Sequence, residues 1–224
     1  MYIGVIAEGK SDLAVIKNII RGKFKNINYD IQYLQPELDY DETDLYDMTE
    51  AQFSNWELVK KACIEKKKFS DFFSVDEERY IILQIDTAEA ELGNYNVRRP
   101  KKHNNSDYSE ELRNNIIQRI NEWSDNQFYD QLFYAVAVEE TEAWVLTIYS
   151  DDKKDTCRFT DPKRELDRIL NIRLGEKEKK ILNYDEFKKF DELSRDFRKL
   201  KNLNRFMLLN QSLNLFCASL ERLI

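Results

Sequence analysis

Three apolar runs in this chain break off in the same way. YIGVIA (2–7) ends at Glu8, RYIILQI (79–85) ends at Asp86, and LFYAVAV (132–138) ends at Glu139 and Glu140. Short runs that are apolar at almost every position read as strands covered on both faces. Helical spacings lie between them. Leu13, Val15, Ile16, Ile19 and Ile20 form one apolar face, NWELVKKACIEKKKF (55–69) a second, and SEELRNNIIQRINEW (109–123) a third. A shorter strand, IQYLQ (31–35), is stopped by Pro36. Strands alternating with helices predict an α/β fold, a mostly parallel Rossmann-like sheet flanked by helices. In such sheets ligands bind at the carboxyl ends of the strands, which is where this chain places its acids.

The α/β pattern occupies residues 1–149. Residues 150–224 are charged and helical in pattern, and they predict a helical C-terminal region packed on the first part. Its aromatics Phe187, Phe190 and Phe197 read as core more readily than as base-stacking platforms. A length of 224 residues suits one domain with such an appendage. No stretch approaches the roughly 18 apolar residues of a membrane span, and MYIGVIAEGK has neither a basic leader nor a long apolar core. The expected location is the cytoplasm. Cys63, Cys157 and Cys217 are far apart and predict buried reduced thiols. A single histidine, His103, argues against a histidine zinc site and a Ser-His-Asp triad, so any catalysis falls to carboxylates, lysines, arginines or hydroxyls.

The acids come in three groups. Glu8 and Asp12 flank Gly9, which would let the backbone turn sharply, with Ser11 or Asp12 as the cap of the helix that follows. DTAEAE (86–91) supplies Asp86, Glu89 and Glu91, and EETEAW (139–144) supplies Glu139, Glu140 and Glu142. Taken singly, each group is also what a strand end or the first turn of a helix would carry. Taken together they make a set of hard oxygen ligands. Mg²⁺ needs one or two such carboxylates, with water and phosphate oxygens completing its shell. Trp144 reads as core. The net charge of −7 argues against a protein that coats nucleic acid, but the cations are grouped: RGKFK (21–25), KKK (66–68), RRPKK (98–102) and RKLK (198–201).

An apolar strand, Glu-Gly-x-x-Asp, a helix, and a later apolar strand ending in Asp together resemble the Toprim domain, here at AEGKSD (7–12) and at Asp86. VEETEAW (138–144) and NQSLNLFCASLERL (210–223) are similar to elements of the compact RloB-like and OLD-like defence-associated Toprim proteins. The resemblance implies a Toprim nuclease that hydrolyses phosphodiester bonds in DNA or RNA with Mg²⁺ or Mn²⁺, in phage defence or RNA processing. Glu8 would be a general acid or base, or a metal ligand, and Lys10 would contact the reacting phosphate. Asp86, Glu8, Asp12, Glu139 and Glu89 are the metal candidates. Arg98, Arg99, Lys101 and Lys102, nearest in sequence to Asp86, would bind the nucleic-acid backbone. A partner protein, such as an ATPase-type defence component, or a second copy of the chain fits the same resemblance.

The sequence departs from the Toprim pattern where the second Asp of Asp-x-Asp is expected, since Ala88 stands there. The site could therefore hold one metal, take a substitute ligand from Glu89 or Glu91, or have lost cleavage. In the last case the fold would serve as a binding module whose acidic stretch ELDYDETDLYD (37–47) recruits a basic partner. A plain nucleotide-binding domain has little support, because neither G-x-G-x-x-G nor G-x-x-x-x-G-K-[ST] occurs.

Overall fold

The structure is a computed structural model that describes residues 1–36, 55–102, 106–151, 154–175 and 178–223. The acidic stretch 37–47 and His103 lie outside the described residues. The chain runs β1 (Tyr2–Ile6), α1 (Lys10–Lys23), β2 (Asp30–Gln35), α2 (Trp56–Glu65), α3 (Lys67–Phe73), β3 (Arg79–Asp86), α4 (Tyr108–Trp123), β4 (Leu132–Ala137) and α5 (Glu142–Tyr149). The helices α6 (Pro162–Arg173), α7 (Glu186–Leu193), α8 (Leu200–Met207) and α9 (Gln211–Ser219) follow, with 3₁₀ turns between them. The four strands form one parallel sheet in the order β2-β1-β3-β4. This is the α/β architecture with C-terminal helices that the strand–helix alternation predicts.

The period of two along each strand divides the core. Ile3, Val5, Ile82, Phe133 and Ala135 face one way, toward α1 and the C-terminal helices. Ile6, Ile81, Leu83, Ile85, Tyr134 and Val136 face the other way, toward α2, α3 and α4. Each fully buried large apolar side chain contributes about 1.5–3 kcal/mol of transfer free energy. The crossover from β1 to β2 runs through α1 on one face, and that from β3 to β4 runs through α4 on the other. The winding therefore reverses between β1 and β3, and the crevice at their carboxyl ends is the topological switch point.

The C-terminal region shares its core with the sheet. Phe190, Phe197, Leu203, Phe206 and Phe216 lie in one cluster with Ile3, Ile16, Ile20 and Trp144. Phe197 is sealed and Phe190 nearly so, and Phe187 packs edge-on against Tyr33. Polar contacts secure the seam. Trp144 Nε1 donates to Ser212 Oγ (2.7 Å), and Arg198 grips Asp191 with two bonds of 2.8 Å while also donating to Asn18 Oδ1 (2.6 Å). Gly22 lets α1 approach this seam, because a Cβ there would stand 2.0 Å from the Phe197 carbonyl oxygen. All three cysteines are buried and unpaired. Among the described residues no helix is long and apolar enough to cross a membrane.

Two local expectations are corrected. The single helix expected over 55–69 is two, α2 and α3, because Lys66 takes a left-handed conformation (φ 56°). Its N–H closes on the Ala62 carbonyl, a left-handed cap that ends α2 before the chain re-enters a helix. The N-cap of α1 is Gly9, not Ser11 or Asp12. Gly9 is extended (φ −146°), a conformation open to any residue, so no special turn is made there. Asp12 instead sits in the first turn, where the N-terminal end of the helix favours a carboxylate.

Candidate active site

Parallel pairing in register brings the three acidic strand ends to one edge. Ile6 pairs with Leu83 and Asp86 pairs with Ala137, so Glu8, Asp86 and the residues after Ala137 emerge side by side. They open on a cavity of about 280 Å³. Among the described residues, Glu8, Asp12, Asp86, Glu89, Glu140 and Glu142 line it, with Asn55, Trp56, Ala88 and one cation, Lys163.

Glu8 and Asp86 are interlocked. The Asp86 N–H donates to Glu8 Oε1 (2.7 Å), and the Glu8 N–H donates to Gln84 Oε1 (2.9 Å). The buried amide of Gln84 then donates to Asp86 Oδ1 (2.8 Å) and to Thr141 Oγ1 (3.0 Å). Thr141 Oγ1 is also 3.2 Å from Asp86 Oδ1, and Tyr95 O–H donates to the Asp86 carbonyl (3.1 Å). Thr141 also lies near enough to Asp12 to oppose the rise of its pKa.

Burial and mutual repulsion make these acids hold protons. Desolvation pushes Glu8 up to about 8, helped by the charges of Asp12 and Glu89 and opposed by the N–H groups of Asp86 and Trp56. Asp12 rises to about 6, chiefly by burial. Asp86 is driven well above the usual carboxylate range by burial, then by Asp12 and Glu8. Glu142 rises to about 7 through burial and Asp12, against the pull of Lys163. Such groups can store and return a proton near neutral pH, and as anions they are short of positive charge.

A divalent cation would supply that charge, and the donors are all hard oxygens, which suits Mg²⁺ or Mn²⁺. Among the described residues no three acidic, histidine or cysteine side chains stand close enough to enclose a metal by themselves. The fit is therefore to a cation held by one or two carboxylates, with water and a phosphate completing its shell.

The other candidate residues are distributed less simply. Glu139 is turned out of the cavity. It takes a left-handed conformation (φ 62°) and forms a bidentate pair with Arg99 at 2.7 and 2.9 Å. The Thr87 and Ala88 N–H groups bond its carbonyl (3.0 Å each), and Thr87 Oγ1 accepts from its N–H (2.8 Å). Arg99 also donates to the carbonyls of Thr87 and Ala88, so it fastens the ends of β3 and β4 to each other. Lys102 Nζ lies 3.8 Å from Glu139. Arg98 and Lys101 are exposed and form no ion pair among the described residues. Lys10, in the first turn of α1, does not line the cavity, and Glu91 accepts from the Arg99 N–H (3.4 Å).

Sequence reasoning did not single out Gln84, Thr141, Asn55, Trp56 or Lys163. Gln84 carried a signal, as the one polar residue within the apolar stretch IILQI (81–85). No match is found among protein-family models, curated proteins or solved structures, so the reading of this site rests on its own side chains.

Proposed function

We propose that this chain is a divalent-cation-dependent nuclease of Toprim type, hydrolysing phosphodiester bonds in DNA or RNA in the cytoplasm, in phage defence or RNA processing. The observation that carries the reading is the meeting of Glu8 and Asp86 at the switch point, with Glu8 Oε1 2.7 Å from the Asp86 nitrogen, in a cavity that six carboxylates line among the described residues. Asp86, with Glu8 or Asp12, would hold Mg²⁺ or Mn²⁺. When bound, the ion would polarise the phosphate and lower the pKa of a coordinated water. Glu8, with its raised proton affinity, is suited to move a proton at the attacking or leaving oxygen. Gln84 keeps Asp86 aimed, and Arg99 with Glu139 holds the strand ends at their spacing. Arg98, Lys101 and Lys102 remain candidates for contact with the nucleic-acid backbone.

The test is incubation of labelled DNA and RNA with Mg²⁺ or Mn²⁺, beside Glu8→Gln and Asp86→Asn. Metal-dependent cutting that both substitutions abolish supports the reading. Cutting that survives both removes the site assignment. Ala88, at the position of the second Toprim Asp, favours a second reading, a fold of this type that binds and does not cleave. Inertness toward every substrate and metal, with binding intact, would support it.

A further inference from the structure

Two basic stretches far apart in sequence meet at the end of the molecule opposite the acidic cavity. Although the whole chain has a net charge of −7, KNIIRGKFK (17–25) and RDFRKLKNLNR (195–205) together hold nine basic residues and one acidic one. Helix α1 begins beside the cavity and carries the first stretch away from it, over a length of about 21 Å at 1.5 Å per residue. At its far end Gly22 packs on the Phe197 carbonyl and on Leu203. Arg198 reaches back to Asn18, and Arg21 and Arg198 both lie near enough to Lys17 to oppose its charge.

The charges do not cancel. Lys17 and Arg198 are paired with Asp191, Lys23 with Glu221, Arg195 with Glu192 and Lys199 with Asp196. Arg21, Lys25, Lys201 and Arg205 are exposed and form no ion pair among the described residues. Lys201 and Arg205 are four apart on α8, on the side opposite the buried Leu203 and Phe206. Four cations without an ion pair leave this end of the molecule positively charged, and such a surface attracts polyanions.

We infer that this end of the molecule binds the phosphodiester backbone of a nucleic acid through Arg21, Lys25, Lys201 and Arg205. The choice of nucleic acid over other polyanions rests on the nuclease reading, but the binding requires neither the cavity nor a metal. The surface acts as a remote anchor that holds a substrate longer than the cavity itself can grip.

The experiment measures binding of a labelled oligonucleotide of about 20 nucleotides, single- or double-stranded, in EDTA over a range of salt. The full chain is compared with the quadruple variant R21Q/K25Q/K201Q/R205Q, and with a control of equal charge, K61Q/K67Q/K180Q/K188Q. Losing four phosphate contacts should lower the slope of log K against log salt by about 3, and weaken binding at about 0.1 M salt by at least 100-fold. The control should stay within about threefold of the parent. Circular dichroism melts verify that the exposed substitutions leave the fold intact. Equal loss in both quadruple variants, or no loss in the first, overturns the inference. Preference of the parent for anionic phospholipid vesicles over the oligonucleotide overturns it in favour of a membrane. If binding behaves as expected and no cutting is seen with Mg²⁺ or Mn²⁺, the nuclease reading fails and the anchor stands.

Discussion

Replacing Glu8 by Gln should stabilise the metal-free protein in alkali and leave its stability unchanged in acid. The ordinary glutamate value is 4.5, and in the folded chain burial and the neighbouring charges of Asp12 and Glu89 carry Glu8 to about 8. Between those two values the folded state binds a proton that the unfolded state has lost. Stability therefore falls as pH rises through this window, and the loss is complete above about pH 8. The interval corresponds to about 5 kcal/mol. Glu8 is half-buried, and the solvent that reaches it reduces this to about 2–3 kcal/mol. Glutamine carries no charge to desolvate, and its Oε1 can still accept from the Asp86 N–H. For a chain of this size the variant should melt about 5–10 °C above the parent near pH 9 and within about 2 °C of it near pH 4. Calorimetric or circular-dichroism melts in EDTA at several pH values read this directly. A difference that does not change with pH, or a variant that melts lower near pH 9, would refute the reasoning that an unneutralised Glu8 charge strains the site.

Mg²⁺ or Mn²⁺ should raise the melting temperature near pH 8.5 and scarcely do so near pH 5.5. Glu8, Glu142 and Asp12, at about 8, 7 and 6, keep their protons in the acid condition and compete with the cation; an equal rise at both pH values would count against a carboxylate-held ion. Arg99→Met should cost about 3 kcal/mol in urea denaturation, because buried Glu139 loses its bidentate partner and keeps only the longer approach of Lys102. The double variant with Glu139→Gln should recover a large part of that loss, and additive losses would show that the pair is not coupled. Gly22→Ala should destabilise by about 2 kcal/mol, since its Cβ meets the Phe197 carbonyl oxygen at 2.0 Å and outweighs the better helix propensity of alanine; a raised urea midpoint would contradict the close approach of α1 to Phe197.

Much of the fold was legible because strand periodicity and helical periodicity are local signals. YIGVIA, RYIILQI and LFYAVAV became β1, β3 and β4, and IQYLQ became β2. The acids at their ends converge because parallel strands bring like ends to one edge. The break at Lys66 was not legible, since lysine has no sequence signature for the left-handed conformation it adopts there.

The sequence by itself determined that acids would crowd the carboxyl edge of a parallel sheet, because an apolar strand has to emerge somewhere and this chain writes a carboxylate at the exit of three of its four strands. Only the tertiary structure decided which acids share the cavity. A single left-handed residue, Glu139, turns its own side chain outward to Arg99, and the cavity takes Glu140 and Glu142 instead. The same ion pair commits Arg99 to holding two strand ends, a partnership across 40 residues that no local pattern encodes. Gln84 became the link between Glu8 and Asp86 for the same reason: burial removes water as a partner, and which group replaces it depends on what the fold brings within 3 Å.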